Sequence, residues 1–181
     1  MILVFEVKIL DLRELLKEYD LVILRDNYII YKSKEPGIAP LVKAIEQLGN
    51  EILRDTVVAD RIVGKAAALL IAFFKAKHVF AFTMSKPAIS VLRKYNISFE
   101  YLELVDVILN REKTDMCPFE KMTLKINDPK EAYEILFQPP LGDFSMVQQV
   151  REFNLPPAPE SLFQPPLGDF SMVQPFRSYL L

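Results

Sequence analysis

Tryptophan is absent from this sequence, cysteine and histidine occur once each, and glycine occurs only five times. Each scarcity excludes something. A lone Cys117 permits no internal disulfide, so no secreted disulfide scaffold is expected. A lone His78 removes the Ser/His/Asp arrangement and any site built on several imidazoles. The glycines form neither GxGxxG nor GxxxxGK[ST], so the usual phosphate-cradling loops are missing. The net charge of −2 comes from the residues beyond Gln138, where Asp143, Glu152, Glu160 and Asp169 outnumber Arg151 and Arg177. The body is neutral and has no basic stripe to displace phosphate counterions, so no nucleic-acid partner is expected. The longest apolar run, 66–74, is about half of a bilayer span, so no membrane partner is expected either. The opening MILVFEVKIL is broken by Glu6 and Lys8 and lacks a basic leader and a small-residue cleavage site. A cytoplasmic location is expected.

What is present divides into two regimes. Residues 1–137 hold five of the thirteen prolines and alternate helical with extended apolar periods; 138–181 holds the other eight and few charges. This predicts an α/β domain over 1–137 and a Pro-rich tail over 138–181. Within the tail, LFQPPLGDFSMVQ at 136–148 recurs without a mismatch at 162–174. Two copies are too few for a solenoid. They read either as a recent duplication or as a doubled docking peptide with raised avidity, its anchors being Leu136, Phe137, Leu141, Phe144 and Met146.

In the body, the periodicity predicts a helix over 11–19 and a hairpin over 21–33 turning at Asp26-Asn27. A helix over 40–48 is expected to stop at Gly49-Asn50. A strand over 56–59 hands over at Asp60 to a helix over 62–74. A strand over 78–83 and a helix over 86–95 follow, then a strand over 97–102 and a helix over 105–109. Cys117-Pro118 and Asp128-Pro129 each open a further helix. Strands alternating with helices point to a three-layer α/β/α sandwich around a mixed sheet.

Two segments have the residue types for chemistry. In VVADRIVGKAAALL (57–70), Asp60 is expected at a strand-to-helix junction, where open α/β sheets bind ligands and helix amino termini favour anions. It is either an ordinary N-cap or a ligand contact. Lys65, about one turn on, is either a solvated lysine or a group reaching back over the helix start, and Arg61 with Lys65 suits an anion such as a nucleotide phosphate. In TDMCPFEKM (114–122), Pro118 makes Cys117 the N-cap, with Glu120 at the third position as in a capping box. A thiol there is either a small half-apolar cap or a stabilised thiolate, with Lys121 adding positive charge and Glu120 handling protons.

VVADRIVGKAAALL, MCPFEK, EPGIAPL (35–41) and DPKEAYEIL (128–136) together resemble the bacterial family catalogued as domain of unknown function 1893, over about residues 11–137. The resemblance implies a cytidine-deaminase-like fold and no firm activity. True deaminases place a His or Cys ligand and a catalytic Glu at one helix start and a Pro-Cys-x-x-Cys pair at the next. Here the first offers Asp60, Arg61 and Lys65, and the second offers Cys117 with Glu120 where the second cysteine would stand. His78 begins a strand and reads as a strand-end residue. No metal and no cofactor are therefore expected. Two functions remain open. One is a protein that binds a small anionic or nucleotide-like ligand through Asp60, Arg61, Lys65 and Lys121, with Cys117 and Glu120 for any catalysis. The other is a non-catalytic interaction module acting through its sheet edge or tail. A homo-oligomer is compatible with both.

Overall fold

The computed structural model describes residues 12–137. The first eleven residues and the tail over 138–181, including all of the second repeat copy, lie outside them. A first helix, α1, covers 12–18. The hairpin follows as β1 (Leu21–Arg25) and β2 (Tyr28–Ser33). Asp26 and Asn27 both take positive φ (50° and 72°), the two-residue turn whose twist suits paired strands. Helix α2 (Ala39–Leu53) starts with Pro40 in its first turn. Gly49, at φ 74°, breaks the helical path, yet the chain resumes it to Leu53, so Gly49-Asn50 kinks the helix where a stop is expected.

The next segment departs further from expectation. Strand β3 runs Val57–Val63, through Asp60, and helix α3 (Lys65–Phe73) begins only after Gly64. Asp60 is therefore a mid-strand residue and not a helix cap. Ile62 and Val63 are β-branched, keep their register against β4, and carry the extended conformation to the glycine. Strand β4 (His78–Ser85) leads to helix α4 (Lys86–Lys94), where Ser85 Oγ accepts the Ala88 amide at 3.3 Å as a conventional N-cap. Strand β5 is Ser98–Val105. The expected helix over 105–109 is absent; that stretch ends β5 and forms an isolated bridge, Leu109 with Met116. Helix α5 (Pro118–Thr123) and helix α6 (Pro129–Phe137) complete the body. Asp128 caps α6, its Oδ1 accepting the Lys130 and Glu131 amides at 2.9 Å each.

The five strands form one mixed sheet in the order β2-β1-β3-β4-β5, antiparallel from β2 to β3 and parallel from β3 to β5. Side chains alternate between its faces. Leu21, Ile23, Val58, Val79 and Ala81 point into the larger core with α2 to α6. Val22, Ala59 and Phe80 meet Leu12 and Leu16 of α1 on the other face. The architecture is thus a mixed α/β sheet with helices on both sides. Helix α3 is buried along nearly its whole length, which its small residues Ala66, Ala67, Ala68 and Ala72 allow. It stacks Phe73 on Tyr133 of α6 at 4.4 Å between ring centroids, and Tyr133 on Phe137 at 4.9 Å. Among the described residues, no helix is long and apolar enough to cross a membrane.

Candidate functional site

The first amides of a helix have no partner inside it, and Gly64, the N-cap of α3, has no side chain to supply one. The acceptor comes from another helix. Glu120 of α5 accepts the Ala66 amide on Oε1 at 3.1 Å, and the Lys65 amide also bonds this carboxylate. The approach is so close that a Cβ on Gly64 would collide with Glu120 Oε1, with Glu120 Cδ at 2.7 Å and with Ile108 Cγ1 at 2.9 Å. In return the Lys65 ammonium donates to the carbonyl of Leu124, the C-cap of α5, at 2.7 Å. The two helices therefore cap each other: a carboxylate from α5 closes the amino end of α3, and an ammonium from α3 closes the carboxyl end of α5.

Both groups are buried, Glu120 at 4% exposure and Lys65 at 8%. Burial pushes the Glu120 carboxyl above its ordinary value, while the two amides and the Lys65 ammonium pull it back. Burial likewise lowers the Lys65 pKa, against the favourable field of Glu120. The expected capping box on Cys117 is not formed, because the Glu120 carboxylate is engaged with α3. The Cys117 amide instead donates to Ile108 O at 2.9 Å, and its half-buried side chain makes no capping bond. Lys121 turns away to pair with Asp115.

Asp60 and Arg61 are successive residues of β3 and face opposite sides of the sheet. Asp60 is 7% exposed, and its Oδ1 accepts the Ile62 amide at 3.0 Å. Burial pushes its pKa up to about 7; the Ile62 bond lowers it and the nearby Asp20 carboxylate raises it. Arg61, on the opposite face of the strand, donates from Nε to Leu16 O at 2.7 Å and from Nη2 to Lys17 O at 2.8 Å. Its Nη1 lies 3.3 Å from Asp20. It fastens the carboxyl end of α1 to the sheet. The charged groups acting on Asp60 and on Glu120 are different: Asp20 for one, Lys65 for the other.

The structure brings Lys65, Glu120 and, one turn earlier on α5, Cys117 into one neighbourhood. Asp60 and Arg61 have other partners, the Ile62 amide for the first and the carboxyl end of α1 for the second. His78 begins β4, with Nδ1 2.8 Å from Ser98 Oγ and Nε2 3.9 Å from Glu100, and burial lowers its pKa. Among the described residues, no group of three or more His, Cys, Asp and Glu side chains is arranged to hold a metal. Sequence reasoning missed Gly64 and Asp20. Glycine directly between an apolar strand and a small-residue helix was the available signal for the first; nothing in the spacing announced the second.

Comparison with known proteins gives a family and a fold neighbour. The family described as "Domain of unknown function (DUF1893)", TM1506, matches residues 11–138. The crystal structure of a DUF1893 family protein (TM1506) from Thermotoga maritima is similar, with a TM-score of 0.64 and 33% identity. The match covers 75% of this chain and 87% of that one. No curated protein matches.

Proposed function

We propose, from the premise that the chain belongs to the DUF1893 family, that it is a non-catalytic, cytoplasmic interaction module on a cytidine-deaminase-like scaffold. It works through its sheet edge or its duplicated tail and needs no cofactor. In a deaminase-like arrangement, chemistry belongs where two helix amino ends meet. The observation that carries the reading is the Glu120 carboxylate seated on the α3 amides, with Lys65 committed to Leu124 O. The chain's own side chains take the place an anionic ligand would use. Titrating the full chain with inorganic phosphate and with cytidine monophosphate should leave the amide resonances of residues 64–68 unmoved. Saturable shifts there would overturn the reading. The tail's share is tested by deleting 138–181: association seen with the full chain on size-exclusion chromatography should vanish while the fold persists. Unchanged assembly would remove the tail and leave the edge.

A second reading is favoured by Asp60, a buried acid with a pKa of about 7, the range suited to proton transfer. In it, a small anionic or nucleotide-like ligand contacts Asp60, Arg61, Lys65 and Lys121, Cys117 acts as nucleophile and Glu120 moves protons. It requires the Cys117 thiol to label with iodoacetamide at a pH well under the free-thiol value of about 8.5. A thiol of ordinary reactivity, or one that is inaccessible, removes the nucleophile.

A further inference from the structure

The two edges of the sheet are guarded differently. On β2, the pairing with β1 shifts register between Ile23 and Leu24, and the edge carries Lys32, both of which discourage a further strand. On β5, the register with β4 is unbroken from His78 opposite Ser98 to Ser85 opposite Val105. Its eight residues, SFEYLELV, include no proline, lysine or arginine. Among the described residues β5 is paired on one side only, and Tyr101, Leu102 and Leu104 are 39%, 51% and 41% exposed. An even, unguarded edge of this length is a template for another strand.

Charge selects the strand. Glu100 is opposite Phe80, so it lies on the α1 face; Phe99 and Tyr101 stack on the other face, which Glu103 shares by alternation. Neither glutamate pairs with a lysine or arginine among the described residues: Glu100 lies 3.9 Å from His78, and Glu103 accepts the Thr83 hydroxyl at 3.2 Å. Asp106, just beyond, is neutralised by Lys86 at 2.6 Å. The edge thus presents one unneutralised carboxylate on each face, three residues apart.

We propose that the free edge of β5 takes up an extended segment of a partner protein as an antiparallel sixth strand, one rich in β-branched residues and carrying two basic residues spaced i, i+3 to meet Glu100 and Glu103. A second copy of this chain fits less well, because its own β5 repeats the acidic pattern. The inference rests on the interaction reading and narrows it to one surface and one partner chemistry.

The test uses the full chain and three fluorescein-labelled eight-residue peptides: TVKITKVT, its acidic counterpart TVEITEVT, and TVKITKVT with alternate amides N-methylated. TVKITKVT should bind saturably and protect β5 amides from hydrogen exchange, and the other two should not. Glu100→Lys with Glu103→Lys should weaken binding by about tenfold or more, and Glu100→Gln with Glu103→Gln by less, both with unchanged circular dichroism. Absent binding, equal binding of the acidic or methylated peptide, or protection at β2 instead would overturn the proposal. So would a peptide-independent dimer, seen by sedimentation, that the same glutamate variants dissolve. Tail-dependent association without peptide binding at β5 would sink this inference and leave the interaction reading standing; ligand shifts at residues 64–68 would sink the reading itself.

Discussion

Glu120 and Asp60 are hidden from water to nearly the same degree, yet the molecule treats them in opposite ways. Glu120 accepts two helix amides and lies in the field of the Lys65 ammonium, and these offset part of the cost of its burial. Asp60 is met by a single amide and stands near another acid, so its burial is answered by holding the proton. The difference shows that buried carboxylates in one small fold can serve unlike ends. One joins two helices through their end groups; the other sits in a strand with its pKa raised to about 7.

The contrast can be broken or sharpened by substitution. The largest effect is expected from Gly64→Ala, whose methyl group meets Glu120 and Ile108. Overpacking together with the broken cap should cost about 4 kcal/mol in urea unfolding. A loss below about 1 kcal/mol would mean that the carboxylate moves aside freely. Next comes the pH profile of Asp60. Its pKa is raised from 3.8 to about 7, so its favourable contribution is complete below pH 3.8 and is lost as pH rises toward 7. Asp60→Asn should remove that slope and make the protein more stable than the parent at pH 8 by up to about 4 kcal/mol. Parallel stability curves for parent and variant between pH 4 and pH 8 would show that the acid is not protonated when buried.

Glu120→Ala should cost about 2 kcal/mol by leaving the Ala66 and Lys65 amides without their acceptor. Combined with Gly64→Ala, it should cost clearly less than the two separate losses together, since the collision partner is gone. Strict additivity would deny that these residues touch. Arg61→Met should have the smallest effect, about 1 kcal/mol, seen as faster hydrogen exchange in α1 while β3 stays protected. Equal acceleration throughout the sheet would show that Arg61 supports more than the end of one helix.

The sequence made local features legible and long-range ones not. Asp26-Asn27, Ser85 and Asp128 act within a few residues of themselves, so their turn and caps could be read directly. Asp60 looked like a cap because a polar residue followed an apolar run. The strand continues because β4 supplies partners as far as Val63, information that resides in another segment. The apolar stretch VDVIL suited a helix in isolation, but Leu109 pairs with Met116 instead. The same limit hid the role of Glu120. Its spacing from Cys117 fits a capping box on its own helix, whereas its partner amides lie more than fifty residues earlier. Lys65 and Glu120, singled out in separate segments, meet where α3 and α5 cap each other, while alternation along β3 sends Arg61 to the α1 side of the sheet.

The last helix bears on the repeated peptide. Its first copy begins at Leu136, which is buried in the core, and continues with Phe137, whose ring lies on Tyr133. Any receptor that must grip the leading leucine and phenylalanine would have to pry the first copy out of the domain, and would compete with folding to do so. A duplication that looks bivalent on paper would thus yield its first copy to that receptor only at the expense of α6.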